Sequence, residues 1–248
     1  MDLPFDSLVS VALIILFAYT IFGLTGFGSA ITAMPLLAHW IPLKIAVPLI
    51  LLLDLCANTL LGVRNRSALD RKELFRLIPF MLIGMVIGVT LLVKVPERAL
   101  LLVLGCFVLI YAGWSLLFDR GVKTIATGWS VPLATIGGVF TALFGTGGPI
   151  YVIYLAGRLH DKMALRATIG TLILVTGLAR LALFTTAGLF SQVDLLLLAA
   201  LLLPCALLGL FIGNRLHQRL PVQRVMQAVW LVLILGGATL IWRSALGG

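Results

Sequence analysis

The stretch Ala142-Leu143-Phe144-Gly145-Thr146-Gly147-Gly148-Pro149-Ile150 interrupts a long apolar run. It has a counterpart earlier in the chain, Gly23-Leu24-Thr25-Gly26-Phe27-Gly28-Ser29-Ala30-Ile31. Moving the earlier stretch 119 positions on lays Leu24, Gly26, Gly28 and Ile31 over Leu143, Gly145, Gly147 and Ile150. Glycines at alternate positions permit positive φ and leave backbone N–H groups uncovered. A helix that restarts after such a turn presents its first free N–H groups and roughly half a positive charge to whatever lies in front of it. Irregular backbone is tolerated inside a bilayer only where protein or a wet cavity covers it. Glycine-broken segments at matching places in two halves of a chain therefore point to a transport site.

Composition supports a membrane setting. The 248 residues are 61% hydrophobic and 11% charged, with a mean hydropathy of +1.17, whereas a soluble domain carries about 25% charged residues. The net charge of +9 sits in short loops between apolar runs, which indicates the positive-inside effect and a lipid bilayer as partner, not nucleic acid. The opening Met1-Asp2-Leu3-Pro4-Phe5-Asp6 has no basic residue, so the first apolar stretch reads as a retained span and not a cleaved signal. Cys56, Cys106 and Cys205 each lie within an apolar run and are expected to be free, buried thiols. Their spacing suits no metal.

A bilayer core takes about 20 apolar residues per helix. The first run, from about Ser7 to Trp40, is too long for one straight span. Its Gly26/Gly28 break divides it into a full-length arm and a short arm of about a dozen residues, the length of a half-helix. Lys44–Val63, Leu74–Val93 and Arg98–Phe118 follow. The plan then repeats with a broken run over about Ile125–Leu159, then Met163–Ala187, Leu195–Gly213 and Val222–Trp242. The later spans match at an offset of 125, Pro79, Gly84, Gly88 and Pro96 falling on Pro204, Gly209, Gly213 and Pro221. Gly84-x-x-x-Gly88 and Gly209-x-x-x-Gly213 read first as close helix packing, within the fold or at the face of a homodimer.

Loop charge sets orientation. Arg64, Arg66, Arg71, Lys72 and Arg76 crowd one loop, and its counterpart Ala187–Asp194 has no basic residue. The reverse holds at the next loop, where Lys94 and Arg98 face Arg215, Arg219 and Arg224. The halves are therefore expected to be inverted, with both termini outside and the Arg64–Glu73 loop cytoplasmic. The expected fold is an all-α polytopic membrane protein of two inverted repeats, 1–120 and 121–248, in one integrated transmembrane domain. Each repeat is a glycine-broken, re-entrant-like hairpin followed by three helices, about eight spans counting each hairpin once.

Asp54 is the acidic residue placed deep in an apolar run, and Arg180 lies in the corresponding second-half helix. An intramembrane charge costs about 2.5–3.5 kcal/mol on insertion scales. The functional reading makes Arg180 an anion ligand and Asp54 a coupling site for a proton or cation. The bland reading is a structural ion pair, or Arg180 snorkelling outward. Asn58 shares a face with Asp54 and Thr176 with Arg180, at i, i+4 spacing. Thr168 and Thr171 form a further polar pair. Helix–helix hydrogen bonding is the competing reading for all four. Around the glycine turns, Thr25, Gly26, Phe27, Gly28 and Ser29 on one side and Gly145, Thr146, Gly147 and Gly148 on the other form a nest suited to an oxyanion. Simple capping of the short arm would use the same geometry. His39, His160 and His217 fall at run ends and read as interfacial, as do Trp40, Trp114, Trp129 and Trp242.

The motifs Gly26-Phe27-Gly28 and Gly145-Thr146-Gly147-Gly148-Pro149, with the repeated Pro-Gly-Gly-Pro spans, resemble those of the sulfite exporter family, TauE/SafE. The resemblance covers nearly the whole chain. It implies a cell (inner) membrane permease for sulfur-containing anions such as sulfite or organosulfonates, working by alternating access around a midplane site between the two broken helices, without a cofactor. An anion channel of the same fold is the first alternative. An intramembrane enzyme is the second: Ser29 has only His39 nearby as a base, and no metal-ligand cluster is visible.

Overall fold

The computed structural model describes residues 5–25, 28–61, 69–117, 124–190, 193–216 and 222–246. Gly26 and Phe27 and the first half of the Arg64–Glu73 loop lie outside the described residues. The described chain is helical: α1 Phe5–Thr25, α2 Ser29–Leu37, α3 Leu43–Leu61, α4 Arg71–Lys94, α5 Glu97–Leu117, α6 Ser130–Phe144, α7 Gly148–Ala156, α8 Lys162–Thr186, α9 Val193–Leu216 and α10 Val222–Leu246. A 3-10 turn, Thr127–Trp129, leads into α6. Among the described residues, six helices are long and apolar enough to cross a membrane by length and composition, belonging to α1, α4, α5, α6, α8 and α9.

Both broken runs break where the glycines fall. After α1, Gly28 sits at φ 97° and α2 starts at the next residue. After α6, Gly145 sits at φ 74°. These are left-handed conformations that a Cβ disfavours. Each short arm is nine residues long, shorter than the expected dozen and about 14 Å at 1.5 Å per residue. Pro149 opens α7 at a position where its missing N–H costs nothing. The basic loop is also shorter than expected. Arg71, Lys72 and Glu73 already belong to the first turn of α4, which Asp70 caps through a bond from the Glu73 N–H at 3.0 Å.

The helices form two compact units, Met1–Leu53 with Val95–Arg120 and Gln192–Gly248, and Asp54–Lys94 with Gly121–Ser191. In the first, α1 packs along α9. In the second, α4 packs along α6. Both interfaces rest on the small-xxx-small glycines. A Cβ at Gly84 would overlap the Thr135 carbonyl oxygen, and one at Gly88 would lie 2.6 Å from that of Val139. Likewise a Cβ at Gly209 would overlap the Leu16 carbonyl oxygen and one at Gly213 that of Thr20. Leu16 and Thr20 stand 119 positions before Thr135 and Val139, and the paired glycines stand 125 apart. The same helix contact is thus made twice, each time between a helix of 1–120 and a helix of 121–248.

Many large apolar side chains stay uncovered, Leu13, Ile110, Leu197 and Leu235 among them, as do Trp40, Trp114, Trp129 and Trp242. Such a surface suits lipid and not water. The cysteines correct an expectation. They are free, but Cys56 is exposed and Cys106 and Cys205 are half-buried. An apolar run tells that a residue lies at membrane depth; it does not tell which way the helix faces.

Candidate anion site at the second glycine turn

The second unit contains a concentrated polar site. Helix α6 ends in a left-handed glycine cap: the Gly145 N–H donates to Thr141 O at 2.9 Å, and the Thr146 N–H reaches Phe140 O at 3.3 Å. These bonds use the N–H groups of the turn's first half. Its second half is left open. The Ile150 and Tyr151 N–H groups donate to Gly147 O, and Pro149 has none to give. Among the described residues the Gly147 and Gly148 N–H groups have no acceptor. Thr146 is 1% exposed, and its hydroxyl has no hydrogen-bond partner among them either. A buried hydroxyl left unsatisfied costs about 1–3 kcal/mol, so the turn holds three donors with a standing demand for an acceptor.

Tyr151, one turn into α7, lies beneath this end. It is 2% exposed, and its hydroxyl is hydrogen-bonded to that of Thr141 at 3.2 Å. The ring packs where a Cβ at Gly137 would sit, while the adjacent Gly138 lets α6 close on the Met81 carbonyl. Two successive glycines therefore bring α7 and α4 against α6 at one level. Arg180 of α8 is 4% exposed. Its guanidinium lies 5.3 Å from the centroid of the Phe184 ring, within cation–π range. Burial rules out snorkelling to the surface. Thr176 is also buried, its hydroxyl donating to Ile173 O. Asp54 is half-buried, and the Asn58 amide donates back to Asp54 O at 2.8 Å.

Gly147 has a different role from the one its place in the motif implies. A Cβ there would overlap Thr141 Oγ1 and Gly137 O, so its missing side chain seals the turn onto α6. Gly148 has open space where a Cβ would project. At the first turn, Gly26 and Phe27 lie outside the described residues. Ser29 and Thr32 are buried in the first turn of α2, the Thr32 hydroxyl has no partner among the described residues, and Thr25 donates back to Ile21 O. Thr168 proves to be glue between helices, accepting from the Asp70 N–H at 3.1 Å, while Thr171 donates to Ala167 O. His39 is exposed, with Nδ1 2.9 Å from Pro35 O.

Sequence reading missed one charged group. Glu73 is buried at 4% exposure, although it adjoins a basic loop. Its carboxylate accepts from Arg76 Nη1 at 2.7 Å, Arg158 Nη2 at 3.0 Å and Tyr154 Oη at 2.8 Å. The available signal was Arg76 at i+3 and the Tyr154/Arg158 pair at i, i+4 at the end of the second broken run.

An all-helical bundle with an apolar exterior, glycine-broken helices and a buried polar turn defines a membrane transporter. The chain belongs to the Sulfite exporter TauE/SafE family, whose model matches residues 11–240. It is 28% identical over 200 residues to the "Probable inner membrane transporter protein TsaS" of Comamonas testosteroni, an alignment covering 79% of this chain and 83% of that protein. No solved structure matches.

Proposed function

We propose that this chain is a secondary transporter, in the exporting direction, of small sulfur-containing oxyanions such as sulfite or an organosulfonate. The observation that carries the reading is the α7 end. There, among the described residues, the Gly147 and Gly148 N–H groups and the buried Thr146 hydroxyl lack acceptors, and Arg180 of α8 is buried within the same unit. A helix N-terminus with unsatisfied N–H groups favours an anion, by about 0.3–2 kcal/mol depending on burial. An oxyanion would satisfy all three donors. Gly145, Thr176 and Asn58 support this site. Thr25, Gly26, Phe27, Gly28 and Ser29 form its weaker counterpart at the first turn. The halves 1–120 and 121–248, inverted as the loop charges indicate, supply alternating access in an eight-span bundle with both termini outside. Asp54 is the coupling group, taking up a proton or cation. The name of the family favours sulfite export, and the name of the relative favours transport across an inner membrane.

The test is a direct-binding and thermal-shift screen of the purified protein against sulfite, thiosulfate, sulfoacetate, taurine, sulfate and carboxylates. Saturable binding of a sulfur oxyanion, lost in Arg180→Gln, is expected. Preference for carboxylates would overturn the substrate class, and a unitary current in planar bilayers would make the protein a channel. If Asp54→Asn with Arg180→Gln restores the flux that either change removes, the two residues are a structural pair.

A further inference from the structure

Helix α7 has only nine residues, too few to be stable by itself, since isolated helices need about 12–15. Its candidate anion end at Gly147–Gly148 is therefore only as fixed as its other end. That other end is tied down by charge. Tyr151, Tyr154 and Arg158 stand at i, i+3 and i+7, one face of the helix and its exit. Tyr151 is bonded to Thr141 of α6, while Tyr154 and Arg158 both reach Glu73 of α4. Arg158 also gives Glu73 a second bond from Nε at 3.2 Å and reaches Ile125 O at 3.4 Å.

Glu73 is itself held firmly. Its N–H is capped by Asp70, whose own N–H donates to Thr168 of α8. Four donor bonds from three side chains converge on this carboxylate, whose side chain is 5% exposed. Such charge-assisted bonds are about twice as strong as neutral ones. A buried carboxylate is costly unless it is paired in this way.

We propose that Glu73 is a positioning residue for anion binding. It clasps the C-terminal end of α7 to α4 through Tyr154 and Arg158 and thereby holds the Gly147–Gly148 N–H groups where the anion docks. This rests on the anion reading of the α7 turn. Glu73 does not touch the anion; it acts through the rigid short helix.

Hydrogen–deuterium exchange and anion binding on the full-length purified protein test this. Glu73→Gln is expected to speed exchange of the α7 amides about tenfold, the order of one lost charged hydrogen bond, with α1 and α9 unchanged. Its Kd for sulfite should rise about tenfold. Glu73→Asp should recover part of both effects. Tyr154→Phe, which leaves both arginine pairs intact, should give a smaller shift in the same direction and serves if Glu73→Gln does not fold. Leu202→Ala, a buried site on α9 in the other unit, is the control: it should lower Tm without moving Kd. Unchanged α7 exchange in Glu73→Gln and Tyr154→Phe overturns the clasp. Faster exchange with unchanged Kd overturns its role in binding. A wild-type protein that binds none of the sulfur anions refutes the transport reading instead, and the exchange data alone then decide the clasp.

Discussion

At the residue scale, neighbouring glycines of one motif do unlike things. Gly145 supplies the left-handed turn, Gly147 lets the turn seal against Thr141 and Gly137, and Gly148 faces open space. Gly148→Val should therefore leave a folded protein whose sulfite affinity falls at least tenfold, as the side chain fills the room before the N–H groups. Gly147→Ala should instead lose the hairpin, seen as aggregation in size-exclusion chromatography. A Gly148→Val protein with wild-type affinity would place the anion elsewhere. Arg180→Gln should weaken binding about tenfold or more, the scale of a hydrogen bond to a charged group, with little loss in Tm. If Arg180 were only one member of a structural ion pair, its loss would instead lower Tm and leave affinity alone.

At the element scale, the two long interfaces, α4 on α6 and α1 on α9, depend on backbone approach over Gly84, Gly88, Gly209 and Gly213. Without water to drive association in lipid, such contacts rest on close van der Waals packing. Gly84→Ala and Gly209→Ala should each cost about 1–3 kcal/mol by overpacking, read as a similar drop in Tm for both. A large drop in one and none in the other would show that the matched interfaces carry unequal weight. The α7 element was legible from its glycines and from Pro149. The clasp on Glu73 was not, because hydropathy scored Glu73 as part of a solvated basic loop and nothing local shows Tyr154 and Arg158 approaching it.

At the scale of the whole molecule, orientation follows from loop charge. In a cysteine-free background, Ser67→Cys should resist an impermeant thiol reagent in intact cells, and Ser191→Cys should react. Labelling at position 67 would sink the inverted arrangement. Local pattern alone determined the membrane setting, the duplicated glycine breaks and the small-residue faces. Each depends on hydropathy, backbone conformation or steric size within a few turns of chain. Tertiary structure decided which helices those faces meet, pairing α1 with α9 and α4 with α6 across the two halves of the sequence. It turned Cys56 outward and Arg180 inward, gave Gly147 a packing role, and closed two arginines and a tyrosine on Glu73. Side-chain direction and ion pairing at a separation of 85 residues, as between Glu73 and Arg158, are settled only when helices pack, because the desolvation that makes them matter does not exist until then.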